Sequence, residues 1–169
     1  FKKVNILLIL TKFRLIPKIK NMSLEKREFD IIIWGASGFT GRLVAEYLYQ
    51  NYSPNELKWA IAGRDVNKLN KIRDQYLNEK IPIIIADSFD EVSLSKMTKR
   101  TKVICTTVGP YAKYGSKLVK SCVSSKTHYC DLAGEAQWIR KMIDLHHEDA
   151  KYNNVRIVNS CGFDSIPSD

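Results

Sequence analysis

None of the four cysteines in this 169-residue chain stands in a Cys-x-x-Cys pair, and two of its three histidines are adjacent, His146 and His147. Neighbours on a helix point in different directions, and no third ligand stands at useful spacing, so zinc has little support and no metal is expected. Cys105, Cys122, Cys130 and Cys161 lie within or beside apolar segments, which reads as buried, reduced thiols in the cytoplasm or another reducing compartment. Long apolar runs are also missing. Residues 4–10 carry Asn5 among apolar side chains and are followed by Lys12 and Arg14, whereas a spanning helix needs about 20 residues. The basic charge is unevenly spread: residues 1–29 contribute +6 of the net +9. With no finger, recognition-helix signature or aromatic–basic ladder in the remainder, nucleic acid is not an expected partner.

Residues 1–26 read as a basic leader, either a disordered tail or an extension upstream of a start at Met22. Residues 27–169 read as one nucleotide-binding domain. Its organising stretch is DIIIWGASGFTG, residues 30–41. Ile31, Ile32, Ile33 and Trp34 form an unbroken apolar run, as a parallel strand covered on both faces does. Gly35, Gly38 and Gly41 follow three apart. The first permits a tight turn, the second close approach of a pyrophosphate, and the third close packing of the following helix on the sheet. Ser37, Phe39 and Thr40 complete the loop, and the helix start offers free amides and a positive dipole end to phosphates.

The remaining pattern alternates strands and helices, which predicts an α/β, Rossmann-like, doubly wound parallel sheet of about six strands. A helix is expected over 39–52 with Leu43, Val44, Tyr47 and Leu48 inward. A strand over 58–62 leads to a helix capped by Asp65, with Val66, Leu69, Ile72, Tyr76 and Leu77 inward. Strands are expected over 81–86, 102–106, 127–130 and 156–159. Helices are expected within 88–99, where Val92, Leu94 and Met97 are core candidates, and over 112–124 and 137–147. The last of these places Trp138, Ile139, Met142, Ile143 and Leu145 inward.

Arg64 falls where the second strand meets the adenosine ribose of a dinucleotide. An acidic residue there accepts from the ribose hydroxyls of NAD, whereas arginine pairs with a 2′-phosphate, so NADP is the expected cofactor. Asp87, at the end of the third strand, either borders the adenine or caps a turn. The fourth strand exits into TTVGPYAKYG, and loops at that edge of a doubly wound sheet hold ligands. Thr107, Gly109, Pro110 and Tyr111 are therefore cofactor-binding candidates, with Tyr111 read as a wall of the nicotinamide pocket, a proton donor or ordinary packing. The Tyr-x-x-x-Lys pair of one reductase class is absent, since Gly115 stands four after Tyr111 and Leu118 four after Tyr114. Asp131 and Glu135 could orient a substrate amine or hold a loop. In the last segment, CGFDSIPSD, Gly162 suits a turn, Asp164 suits an acceptor of backbone bonds, and Pro167 suits a first helical turn. No catalytic residue is assigned.

REFDIIIWGASGFTG, AIAGR, TTVGPYAKYG, YCDLAGE and CGFDSIPSD, in this order over residues 27–169, resemble the saccharopine dehydrogenase-like oxidoreductases, closest to their trans-acting enoyl reductase group. The resemblance implies an NADP-binding Rossmann domain followed by a larger substrate domain beyond Asp169, with Gly35, Gly38, Gly41 and Arg64 as cofactor contacts. It implies a small-molecule substrate: a lipid-linked enoyl or carbonyl group or, alternatively, a saccharopine-type imine. Animal members associate with mitochondria, lipid droplets or membranes, and a redox-silent, NADP-binding scaffold on a lipid surface is a further alternative.

Overall fold

Residues 26–162 are described by the computed structural model. The leader, apart from Lys26, and the expected roles of Asp164 and Pro167 lie outside them. β1 (Phe29–Trp34) is the centre of a six-stranded sheet of order β3-β2-β1-β4-β5-β6, all neighbouring pairs parallel. Its apolar run is continuous because both faces are covered. Ile32 and Trp34 enter one core with Leu94, Leu118 and Tyr129, while Ile31 and Ile33 enter the other with Val44, Leu48 and Leu69.

α1 (Phe39–Asn51) follows the glycine turn and leads to β2 (Trp59–Gly63). α2 (Val66–Tyr76) starts at Asp65, whose carboxylate accepts from Lys68 N at 3.0 Å. This is the expected cap. β3 (Ile83–Ile85) is shorter than the expected 81–86, because Ile81 N is drawn into a turn with Asn78 O and Pro82 has no amide to donate. α3 (Glu91–Thr98) precedes β4 (Thr101–Thr106).

The helix expected over 112–124 is two: α4 (Tyr111–Tyr114) and α5 (Ser116–Ser124). Between them the Trp138 ring lies so close to Gly115 that a Cβ there would meet Cζ2 at 2.6 Å. After β5 (His128–Cys130), α6 (Ala136–Tyr152) runs five residues beyond its expected end, and β6 (Ile157–Val158) closes the sheet. Trp138, Met142 and Ala150 keep one buried stripe at helical spacing, so the helix continues with it. Ile143 and Leu145, expected inward, are exposed, as are Val66, Tyr76 and Val92. All four cysteines are buried and unbridged. Among the described residues no helix is long and apolar enough to cross a membrane.

One histidine ties the β6 edge to the sheet. His128 Nδ1 accepts from Arg156 N at 3.1 Å, and burial, aided by the nearby Arg156 charge, lowers its pKa from the usual imidazole value. The folded protein therefore resists protonation there, and the stability this group contributes is present above the unfolded imidazole pKa, about 6.5, and is lost as pH falls through the folded value. The melting temperature is expected to fall from pH 7 to pH 5.5, and His128→Gln, which does not titrate, should lessen that fall. An unchanged slope in thermal scans would remove His128 as the cause.

Candidate functional site

Between β1 and β4 the strand order reverses, and a cleft of about 340 Å³ opens over the carboxyl ends of the strands at this point. It is lined by Gly35, Ser37 and Gly38 after β1, Gly63 and Arg64 at β2, Asp87, Ser88 and Phe89 after β3, and Thr107, Val108 and Gly109 after β4. Trp34 and Tyr114 complete the lining.

The three glycines do different work. Gly35 has φ +92, and a Cβ on it would meet Val108 Cγ2 at 2.5 Å, so this position is restricted both by conformation and by space. A Cβ on Gly41 would collide with the Gly35 carbonyl oxygen and would sit 2.8 Å from Thr107 Oγ1. The third glycine thus brings α1 against the turn itself and the β4 exit, rather than only against the sheet. At Gly38 the protein makes no such demand, since its nearest neighbour, Gly35 O, would be 3.4 Å away. Gly38 leaves space on the cleft side. It is also the N-cap of α1 without a side-chain cap bond, and the first turn holds no acidic residue. The amides there remain available to an anion.

Phe39 is 75% exposed at this helix start, with the Arg42 guanidinium 5.8 Å from its ring and 4.5 Å from that of Tyr76. Phe39 and Thr40 sit beside the cleft lining rather than in it. Arg64 is exposed, lines the cleft and has no ion-pair partner among the described residues. Asp87 caps a turn, its Oδ1 accepting from Phe89 N at 2.8 Å, and it also lines the cleft. Trp34 Nε1 is buried with no acceptor among the described residues.

Pro110 and Tyr111 lie outside the lining. Tyr111 turns into the core, where its hydroxyl donates to Thr106 O at 3.3 Å and accepts from Leu132 N at 3.2 Å. Its ring packs on Trp138 at 5.6 Å, and burial pushes the phenol pKa well up. Of the roles considered for Tyr111, packing is the one the geometry shows. The cleft wall goes instead to Tyr114, one helical turn on, which meets Phe89 at 5.6 Å. The second tyrosine of the motif was the available signal for it.

The two carboxylates after β5 bind protein, not the cleft. Asp131, 1% exposed, accepts from Tyr129 Oη and Asn159 Nδ2, both at 2.7 Å, and from Ala133 N and Ser160 N, both at 3.0 Å. Burial raises its pKa, opposed by those bonds. It staples the β5 exit to the β6 exit. Glu135 accepts from Tyr111 N and Ala112 N. Neither carboxylate is within the lining.

Residues 31–158 match the family model described as saccharopine dehydrogenase NADP binding domain. Over 150 residues the chain is 44% identical to the trans-acting enoyl reductase of Mycobacterium leprae and 43% identical to that of Mycobacterium ulcerans. Each match takes in 88% of this chain and 35% of the relative, so the chain spans about a third of their length. Among solved structures, saccharopine dehydrogenase (L-Glu forming) from Saccharomyces cerevisiae superposes with a TM-score of 0.64 at 18% identity, over 81% of this chain and 28% of that one. A Citrobacter triphenylmethane reductase complexed with NADP(H) gives 0.59 at 17% identity, over 77% and 48%. These two show the fold. A sheet with its switch point under a glycine turn, a family match across most of the described residues and relatives of this identity lead to one assignment: the chain belongs to the saccharopine dehydrogenase NADP-binding domain family.

Proposed function

We propose that the chain holds NADPH in the switch-point cleft and serves an oxidoreductase that reduces a small lipid-related substrate, an enoyl or carbonyl compound. The carrying observation is Arg64: an exposed cation on the cleft wall, directly after Gly63 at the end of β2 and without an ion-pair partner among the described residues. The neighbouring acid, Asp65, is bound to the start of α2 and does not take the place of a ribose-binding carboxylate. The residues present fit the cofactor. Gly38 offers the approach, and Ser37 and the uncapped amides at Phe39 and Thr40 suit the diphosphate. Arg64 suits the 2′-phosphate.

NADPH, when bound, supplies the hydride. The chain supplies its position. Gly35 and Gly41 keep α1 against the turn so that its amides hold one geometry, Thr107 and Gly109 border the side of the cleft over β4, and Pro110 stiffens that loop. A fixed pose matters because orientation and water exclusion supply much of the barrier reduction for hydride transfer. Tyr111 has no part as proton donor, its hydroxyl being engaged in the core. The enoyl class rests on the names of the mycobacterial relatives.

The test is calorimetric titration of NADPH and NADH into the intact protein and its Arg64→Ala variant. A charge-assisted contact with phosphate is worth about 1.5–3 kcal/mol, less when exposed, so NADPH affinity should fall about 10-fold and NADH affinity stay within about twofold. If the unaltered protein binds neither nucleotide, the NADPH reading is lost.

A further inference from the structure

The amide pair that opens α4 is already filled from within the protein. Tyr111 N donates to Glu135 Oε1 at 2.6 Å and Ala112 N donates to Oε2 at 2.8 Å, so one carboxylate spans both amides after Pro110. The four-residue helix has no side-chain cap of its own, because its N-cap is proline. Glu135 is itself anchored. Its carbonyl accepts from Ile139 N at 2.9 Å as α6 begins, and Trp138 Nε1 donates to Ser116 Oγ at 3.0 Å, joining α6 to α5.

The other end of the same loop is tied to the glycine turn. Thr107 N donates to Trp34 O at 3.0 Å, and Thr107 Oγ1 lies 3.4 Å from both Trp34 O and Gly35 O. Residues 108–110 run between these two anchors, with Val108 and Gly109 on the cleft. Tyr114 has separate support from Phe89, and Lys117 Nζ donates to Phe89 O at 2.9 Å. The wall over the β3 side therefore has its own attachment, while the wall over the β4 side is held by Thr107, by Val108 N donating to Thr106 Oγ1 at 3.2 Å, by the core-bound Tyr111 and, through the amides that follow Pro110, by Glu135.

We propose that Glu135 is a positioning residue for the cofactor: through the Tyr111 and Ala112 amides it fixes the 108–110 stretch against which the nicotinamide half of NADPH lies. This rests on the NADPH reading above. Two charge-assisted bonds to one rigid loop set a wall position before any ligand arrives. The same negative charge disfavours a phosphate at α4 and leaves the amides of α1 as the diphosphate site.

The test compares Glu135→Gln and Glu135→Ala in the intact protein, measuring binding of NADPH and of adenosine 2′,5′-bisphosphate, which lacks the nicotinamide half. Glutamine can accept from one amide but presents its own donors to the other. NADPH affinity is expected to fall about 10-fold in both variants, with adenosine 2′,5′-bisphosphate held within about twofold. Formate, a small carboxylate, should recover at least part of the NADPH affinity of Glu135→Ala, with chloride at equal ionic strength ineffective. Equal weakening of both ligands without recovery by formate would overturn the proposal, making Glu135 a general fold element. Unchanged NADPH affinity would overturn it too. Absence of NADPH binding by the unaltered protein would instead remove the cofactor reading, whatever the variants do.

Discussion

Gly41→Ala should weaken NADPH binding at least about 100-fold, the largest single-site effect expected for this cleft. The added Cβ collides with the Gly35 carbonyl oxygen and approaches the Gly35 carbonyl carbon to 2.7 Å and Thr107 Oγ1 to 2.8 Å. Two of these atoms are backbone and cannot rotate away, so α1 must move off the turn. Overpacking of this kind costs about 1–3 kcal/mol of stability, and the displaced helix start no longer presents its amides in one place. Gly38→Ala is the informative contrast. There the nearest protein atom is at 3.4 Å, an ordinary contact, so thermal stability should hardly change while binding falls, because the new methyl enters space left for the ligand. Calorimetric titration with parallel thermal scans separates the two. Normal NADPH affinity in Gly41→Ala would disprove the close-packing account of the third glycine.

Asp131→Ala should destabilise the protein by about 3–4 kcal/mol, read as a lower midpoint in urea at unchanged slope. The substitution strands four donors: the Tyr129 hydroxyl, the Asn159 amide and the backbone N–H groups of Ala133 and Ser160. A buried donor without a partner costs about 1–3 kcal/mol, partly relieved where water can enter. The exits of β5 and β6 would then loosen, with Ser160 Oγ to Ala133 O and the backbone bond from Cys161 N to Asp131 O among those left between them. Asp131→Asn keeps an acceptor and the shape, and should cost less than half as much. Because burial raises the Asp131 pKa, this group's titration favours folding below the unfolded carboxyl value, about 3.9. That contribution is lost as pH rises through the folded value. Asp131→Asn removes this dependence, so the stability difference between the two proteins should narrow at neutral pH and widen in acid. A midpoint for Asp131→Ala within error of the unaltered protein would show that the staple contributes nothing.

Both expectations concern residues whose type is evident in the sequence and whose work is not. Gly41 stands out by its spacing, yet spacing implies packing on the sheet, whereas the atoms nearest to it belong to Gly35 and Thr107. Asp131 and Glu135 read as a pair at the end of a strand, suited to holding either a substrate or a loop. Four of their six partners, Asn159, Ser160, Tyr111 and Ala112, stand 23 to 29 residues away in the chain. No local pattern encodes such distant partners.

By itself the sequence determined the alternation of strands with helical segments, the glycine turn, the Asp65 cap and the position of Arg64 after β2. Each depends on interactions a few residues long: an apolar run, a spacing of three, a carboxylate within reach of the next amides. Tertiary structure alone decided that Tyr111 faces the core and Tyr114 the cleft, that Ile143 and Leu145 face outward while Ala150 extends the stripe, and that both carboxylates after β5 bind the protein. Two tyrosines three apart on a short helix have the same local pattern whichever of them turns inward. The Trp138 ring, the Thr106 carbonyl and the Leu132 amide make that choice, and the fold must assemble before they can.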